Sequence, residues 1–448
     1  MSKTRALLLA GDVCLAALAA AGFLPAGWIS AHAHRTGNWR QAVIFAAIAI
    51  FSSHLADFYS EKGRTDRKTI FLKSVMTFVI SMFVFSVLYI LAPSVAADIK
   101  RNAAYLSIFC IMQLLWHLGF NAFIGARRLA RKVLVVGTGP LARTIGGAIL
   151  GGTDVLQGYY QCASEQPLIP FDSIVKNGEG LLATAKREKA NKIVISVSDR
   201  RGSLPVDDIL HCKFSGIEVV DAPSFYEQTT GKLLIENLRP SWFIFSDGFR
   251  VTGARKFLKR GGDILLGLLG LVLSAPVMPL IALAIKADSS GPVFFRQTRV
   301  GEKERQFVIY KFRTMRASAE DGTGAVWASR KDPRITHAGL VLRKTRLDEL
   351  PQLFNVIKGD MSFVGPRPER PEFVKKLKKA IPYYSERHFV KPGLTGWAQV
   401  RFRYGASVED AIEKLRYDLY YIKHMSLFLD FYIVLETIKV VLFDGGSR

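Results

Sequence analysis

Leu347-Asp348-Glu349-Leu350-Pro351-Gln352-Leu353 sets two adjacent carboxylates just after Arg343, Lys344 and Arg346, in a 448-residue chain of formal net charge +23. Carboxylates in a cationic neighbourhood stay ionised, and can then serve as the nucleophile and the hard-metal ligand that phosphoryl transfer needs. Phosphoryl chemistry at Asp348 and Glu349 is therefore the first expectation. The plainer alternative is that both acids decorate a helix N-terminus, where acids are common. The heptapeptide alone leaves both readings open.

Such a pair has to be held by its own element. Thr345 and Asp348 have capping-box spacing, but a helix starting at Thr345 would bury Pro351 in its interior at a cost of roughly 3 kcal/mol. A start near Asp348 puts Pro351 in the first turn instead. Leu347, Leu350, Leu353 and Phe354 then face a core, and the carboxylates sit at a positive helix end that also attracts phosphate.

The excess of 61 basic over 38 acidic residues points to anionic partners: lipid headgroups, phosphates or nucleic acid. Apolar stretches at 6–28, 39–59, 70–92 and 105–123 are each long enough to span a bilayer. They predict a four-helix transmembrane bundle over residues 1–126. Lys3 and Arg5, then Lys62, Arg64, Arg67 and Lys68, then Arg127, Arg128, Arg131 and Lys132 share one side, against Arg35, Arg40, Lys100 and Arg101 on the other. The positive-inside rule makes both ends of the bundle cytoplasmic. A cleaved signal peptide is the alternative for the first stretch, but it lacks a convincing cleavage site. Asp12, His54, Asp57, Lys73 and His117 lie in or beside the spans, most near ends from which they can snorkel. Four cysteines without a CxxC pair and eight scattered histidines argue against a disulfide framework or a zinc site.

From Val133 the chain runs Val-Leu-Val-Val-Gly-Thr-Gly-Pro-Leu-Ala, a buried strand entering Gly-x-Gly-x-x-Ala and then a helix to about Leu150. With strands at 193–197 and 217–220 and a helix at 180–189, this predicts a Rossmann-like α/β domain over 131–240. The acid that would hold a ribose about twenty residues after the glycines is missing around Tyr159-Tyr160-Gln161-Cys162. A structural or regulatory domain is thus expected, with no bound cofactor assigned.

Residues 264–285 form a fifth apolar stretch. Lys256, Lys259 and Arg260 precede it, Lys286, Arg296 and Arg299 follow it, and Ser274, Pro276 and Pro279 interrupt it. Both flanks ask to be cytoplasmic and the prolines bend the helix, so a re-entrant hairpin is expected, with a proline-kinked span as the alternative.

The motifs now become specific. In order they are Ser289-Ser290-Gly291-Pro292-Val293-Phe294-Phe295-Arg296-Gln297, Tyr310-Lys311-Phe312-Arg313-Thr314-Met315, the Leu347–Leu353 dyad motif, 359–369 with its Gly365-Pro366-Arg367-Pro368-Glu369, and Lys391-Pro392-Gly393-Leu394-Thr395-Gly396-Trp397-Ala398-Gln399-Val400. Residues 255–448 thereby resemble the catalytic domain of bacterial sugar transferases, monotopic phosphoglycosyl transferases that join a sugar-1-phosphate to a polyprenyl phosphate. The whole chain is similar to the large form of that family, which starts exopolysaccharide or O-antigen synthesis. The resemblance implies a mostly helical monotopic domain, a UDP-sugar donor (glucose or galactose), undecaprenyl phosphate as acceptor, and an address in the bacterial inner membrane with the catalytic domain facing the cytoplasm. It implies Asp348 as nucleophile, Glu349 as ligand of Mg²⁺, Lys311, Arg313 and Arg343 as phosphate contacts, and Pro366, Arg367, Pro368 and Glu369 as part of the nucleotide pocket. A homo-oligomer is left open.

Two stretches depart from the family's usual pattern. Val400 is followed by Arg401-Phe402-Arg403-Tyr404-Gly405 in place of Asn-Gly, and Tyr420-Tyr421-Ile422-Lys423-His424-Met425-Ser426 replaces an Asn-Trp-Ser pattern. The residues 427–443 are strongly apolar and read as an interfacial helix bracing the catalytic domain, or as ordinary core. A rival reading, a membrane-anchored NAD-dependent nucleotide-sugar epimerase or dehydratase, needs a Tyr-x-x-x-Lys pair that the sequence lacks. A nucleic-acid binder would leave the dyad unexplained, and no nucleic-acid module is visible, so no nucleic-acid partner is expected.

Overall fold

The computed structural model describes residues 3–21, 39–56, 58–59, 67–91, 99–124, 131–152, 154–162, 167–175, 180–197, 205–237, 243, 246, 248–249, 252–316, 334–402, 405 and 407–443. Arg35, Lys62, Arg64, Arg127 and Arg128, from which the orientation is read, lie outside them, as do Asp57, Arg403 and Tyr404. The chain divides into two compact units, Met1–Phe225 and Tyr226–Arg448.

In the first unit, helices α1 (Lys3–Ala21), α2 (Trp39–Leu55), α3 (Arg67–Leu91) and α4 (Ile99–Gly119) pack side by side around Ala16, Phe45, Ala49, Phe85, Leu106 and Phe109. By length and composition, Arg67–Ile90 and Lys100–Ala122 are able to cross a membrane, while Ala6–Ala20 and Trp39–Leu55 are shorter apolar helices. Asp12 and His117 do not snorkel. Asp12 is wholly buried and accepts from the Tyr59 hydroxyl (2.7 Å) and the Gln113 amide (2.8 Å), with His117 Nε2 3.2 Å from both its oxygens. A carboxylate in apolar surroundings persists only where donors replace its water, and the ends of α2 and α4 bring them.

Further along this unit, β1 (Lys132–Val136), α5 (Pro140–Leu150), β2 (Val155–Tyr160), α6 (Leu181–Arg187), β3 (Lys192–Ile195), α7 (Val206–Phe214) and β4 (Glu218–Asp221) build a four-stranded parallel sheet. Val133 to Val136 are fully buried, as the apolar run of a covered parallel strand requires. The spatial order is β2-β1-β3-β4, the flavodoxin-type order rather than the 3-2-1-4 of dinucleotide folds. Neither β2 nor α7 was legible in the sequence. Helix α8 (Ala222–Thr230) follows β4 without a loop.

The second unit begins at Tyr226, ahead of the start near 255 expected from sequence. Helices α9 (Gly253–Ser274) and α10 (Val277–Asp288) meet at Ala275-Pro276 with a 61° bend, as a proline without an N–H dictates. Both outer ends are tied down. At the base of α9, Lys259 pairs with Asp430 (2.8 Å), Arg260 donates to the Val356 and Ile357 carbonyls, and Asp263 accepts from Ser362 Oγ and the Phe363 amide. At the end of α10, Asp288 accepts from the Ala338 amide, and Ile281 and Ile285 pack on Phe312 and Leu342.

Strands β5 (Phe294–Val300) and β6 (Gln306–Phe312) form an antiparallel hairpin. Then come α11 (His337–Thr345), α12 (Gln352–Lys358), β7 (Ser362–Val364), α13 (Pro371–Ala380), β8 (Gly393–Thr395, parallel to β7), α14 (Trp397–Arg401), α15 (Val408–Lys423) and α16 (Leu427–Phe443). The main core joins Val364, Phe373, Leu377, Tyr384, Trp397, Leu415, Leu419 and Ile433 to Leu233 and Ile235. The segment 226–237, placed by its sequence in the middle domain, is thus built into this unit. Trp397 Nε1 donates to the Gly231 carbonyl (2.7 Å), and Glu227 pairs with Lys423 and His424. The two departures from the family pattern meet here: Arg401 lies over the Trp397 ring at 4.4 Å, and Tyr420 stacks on it. On α16, Phe428 and Phe431 are exposed while Ile433 is buried.

Candidate active site

The dyad sits at a break between two helices. Arg346 ends α11 in the left-handed conformation (φ 60°), Leu347–Glu349 makes one 3₁₀ turn, and α12 starts only at Gln352, with Pro351 as its N-cap. The helix expected near Asp348 therefore begins four residues later, because the left-handed residue resets the chain direction and proline tolerates the cap position. Thr345 forms no capping box; its hydroxyl donates back to the Val341 carbonyl. Leu347 and Leu350 pack with Ile281, Ile285, Phe312 and Leu342, and Leu353 is buried, whereas Phe354, expected in the core, is 53% exposed. Two leucines thus lock the turn on either side of the acids.

Asp348 and Glu349 are both buried, and their surroundings differ. Glu349 Oε1 accepts from Lys311 Nζ (3.0 Å) on β6 and from the Arg367 guanidinium (2.7 Å) in the loop after β7. Burial opposes its charge, but Arg367 and Lys311 prevail and hold the Glu349 carboxyl well below the usual carboxylate range. For Asp348 burial wins: it pushes the carboxyl up against the pull of Lys311, and the neighbouring Glu349 charge adds to the rise. Burial also pulls the Lys311 ammonium down, although Glu349 supports it. Neighbouring carboxyls whose titrations are driven apart are what a site with two separate carboxylate roles displays.

The structure does not bring all the predicted site residues to this dyad. Arg343, on α11, donates to Thr314 Oγ1 (2.9 Å) and adds its field to Asp348. Arg313 is buried and turned away, its guanidinium on the Ser289 and Ser290 carbonyls and Ser289 Oγ, where it fastens the turn before β5. Glu369 faces Arg299 at 3.9 Å, and the Pro368 carbonyl accepts from the same guanidinium.

Arg367 is held from three sides. Besides Glu349, its guanidinium donates to Gln399 Oε1 (3.0 Å), and its carbonyl accepts from the buried Arg387, itself paired with Asp418. The Pro366 carbonyl accepts from the Gly393 amide (2.9 Å). The backbones pass so closely that a Cβ on Gly365 would lie 2.4 Å from the Lys391 carbonyl oxygen, and one on Gly393 2.0 Å from the Gly365 nitrogen. Gln399 and Arg387 were not singled out from sequence; only the Gly-Trp-Ala-Gln-Val motif, quoted without a role for its glutamine, could have pointed to the former.

Among the described residues no group of three or more His, Cys, Asp or Glu is arranged to hold a metal ion. Glu349 Oε1 is taken by two cations, and Oε2 has no bond among the described residues. One remaining carboxylate oxygen is the donor type that Mg²⁺ takes from a protein, since the ion draws most of its ligands from water and phosphate.

Residues 254–444 match the model of one protein family, described as bacterial sugar transferase. Over 240 residues the chain is 43% identical to a UDP-N-acetylgalactosamine-undecaprenyl-phosphate N-acetylgalactosaminephosphotransferase of Aeromonas hydrophila, covering 54% of this chain and 56% of that protein. It is 34% identical over 332 residues to an undecaprenyl-phosphate glucose phosphotransferase of Komagataeibacter xylinus, 72% of this chain and 61% of that one. An exopolysaccharide production protein, PSS, of Rhizobium leguminosarum bv. phaseoli is 41% identical over 193 residues, 42% of this chain and 96% of that one. The chain spans a little over half the length of the first two of these relatives.

Proposed function

This chain belongs to the bacterial sugar transferase family, and on that premise we propose that it moves a hexose-1-phosphate from a UDP-sugar to undecaprenyl phosphate, releasing UMP and starting an exopolysaccharide or O-antigen repeat unit. The observation that carries this reading is the split dyad: Glu349 clamped and ionised by Lys311 and Arg367, beside a buried Asp348 with no clamp of its own.

In the mechanism an Asp348 carboxylate oxygen bonds to the phosphorus that bears the sugar, while the bond from that phosphorus to the bridging oxygen breaks and UMP leaves with the electron pair. An oxygen of undecaprenyl phosphate then attacks the same phosphorus, the aspartyl bond breaks, and the carboxylate is restored. Lys311 and Arg367 supply fixed positive charge where the diphosphate lies, and arginine does so with a planar fork. Glu349 would hold Mg²⁺ through Oε2, and the ion, when bound, offsets charge on the diphosphate. A raised pKa suits Asp348 to this role, since a more basic carboxylate is the better nucleophile once ionised.

The membrane arrangement follows the same reading. Both outer ends of the bent α9–α10 pair are anchored to one compact unit, which supports a hairpin that enters one leaflet and returns. Exposed Leu265, Leu269, Val272, Leu273, Leu280 and Leu283 would face lipid. The first four helices would span the inner membrane, leaving the dyad on the cytoplasmic side. Cysteines placed near Lys259 and near Arg299 should both be labelled only from that side; labelling of the second from the opposite side would replace the hairpin by a span.

The test of the reaction is incubation of purified protein with undecaprenyl phosphate, Mg²⁺ and UDP-glucose, UDP-galactose or UDP-N-acetylgalactosamine. UMP release with ping-pong kinetics, and a sugar-phosphate adduct on Asp348 when the acceptor is withheld, are expected. Intersecting sequential kinetics would overturn the covalent route.

A further inference from the structure

Among the described residues near the dyad, the half-buried Gln399 carries a buried nitrogen that the reaction as derived leaves without an occupation. Gln399, on α14, accepts from Arg367 through Oε1 (3.0 Å), and Arg367 in turn reaches Glu349 Oε1 (2.7 Å). A guanidinium is only a donor, so the Gln399 oxygen must face it and the amide nitrogen must point elsewhere. That nitrogen, Nε2, is buried and meets no acceptor among the described residues. A buried amide N–H without a partner is a net cost to the folded protein, and each such group in a native fold calls for an account.

The two ends of this side chain have different surroundings. Its oxygen end is fixed by an arginine that sits in a Pro-Arg-Pro loop, whose backbone is bonded to Arg387 and to Gly393. Its helix is fixed too, since Trp397, two residues earlier, is hydrogen-bonded to Gly231. A rotamer held so firmly, with a bare donor at its tip and a guanidinium alongside, is prepared for an anionic oxygen acceptor that arrives from outside. Resting on the transfer reaction above, we propose that Gln399 is a substrate-binding and positioning residue: Oε1 holds Arg367 toward Glu349, and Nε2 donates to a phosphoryl oxygen of the nucleoside diphosphate-sugar.

Two substitutions in the full chain separate this role from a structural one. Gln399→Met fills similar volume but has neither amide atom. Gln399→Glu keeps an acceptor for Arg367, loses the N–H and puts a negative charge in its place. Both should raise KM for the UDP-sugar, and the dissociation constant of UMP read by thermal shift, about tenfold, the loss of one hydrogen bond to a charged group. Because the missing N–H had no partner among the described residues and the bond to Arg367 is kept, Tm of Gln399→Glu without ligand should stay within about 2 °C of the parent. Unchanged KM and UMP affinity in Gln399→Glu would overturn the donor role, as would a large fall in Tm with donor affinity intact. If the unaltered protein binds neither UMP nor any UDP-sugar, the transfer reaction itself falls and this role with it. If it binds and turns over and both variants match it, only the assignment of Gln399 fails.

Discussion

Asp12 and Glu349 are both buried carboxylates with more than one partner each, and they are surrounded in opposite ways. Asp12, among the apolar helices of the first unit, is met by neutral donors, Tyr59 and Gln113, and by His117, and Gln113 goes on to bond Ser53. Glu349 in the second unit is met by two cations on a single oxygen, beside a second carboxyl and an amide N–H that meets no acceptor among the described residues. The first set joins helices through neutral donors, although the buried Gln113 Oε1 meets no donor among the described residues. The second gathers two cations and two carboxyls in one place, a concentration of charge that suits a charged ligand more than it suits packing. Burial of an acid therefore says little about function; whether its neighbours are neutral donors or fixed cations says more.

The comparison can be broken most decisively at Asp348. Asp348→Asn keeps the shape and removes the nucleophile, so adduct formation should vanish and turnover fall by more than about 10³-fold; a normal rate would reduce the dyad to another structural acid. Lys311→Met should lower kcat by about 10²-fold, the scale for one lost charge-stabilising donor, and Glu349 should then ionise less readily, which a shifted Mg²⁺ dependence would register.

A pH profile sharpens the contrast. Asp348 must be ionised to attack, and its pKa is raised, so the acid limb of kcat should lie above the ordinary aspartate value of about 3.9. Lys311 must stay charged, and its pKa is lowered, so the alkaline limb should lie below about 10.4. Asp12→Leu should leave both limbs in place. That substitution strands the Tyr59 hydroxyl and the Gln113 amide in an apolar bundle, costing roughly 1–3 kcal/mol, visible as a lower Tm in detergent with an unaltered KM.

An effect confined to acid pH is expected at His388. Buried beside Arg387, its imidazole is pushed down to about 4, so the unfolded chain binds the extra proton between about pH 6.5 and 4. Stability is full above that window and drains as pH falls through it, by at most roughly 3 kcal/mol. His388→Gln should flatten this dependence, and an unchanged acid slope of Tm would show that the imidazole titrates normally.

How much of this was legible depended on whether the information was linear. The dyad, Lys311 and Arg367 were named because they stand in contiguous motifs. Arg313 stands in such a motif as well, but a motif does not reveal which way a guanidinium turns, and this one turns to Ser289 and Ser290. Asp12 and His117 looked peripheral because they are 105 positions apart; only helix packing makes them neighbours. Strand β2 carries Gly158 and no clear alternation of apolar and polar residues, so its signal fell below that of a loop. The segment 226–237 was assigned by its place in the chain, whereas Leu233 and Ile235 belong to the core of the second unit.

The close passage of Gly365 against Gly393 bears on any attempt to redirect the enzyme. A side chain at either position would collide with backbone and not with a movable tip, so a library randomised across 359–369 and 391–400 would return glycine at these two sites whatever sugar the selection rewards. Their invariance would then report on backbone crowding and carry no information about the donor.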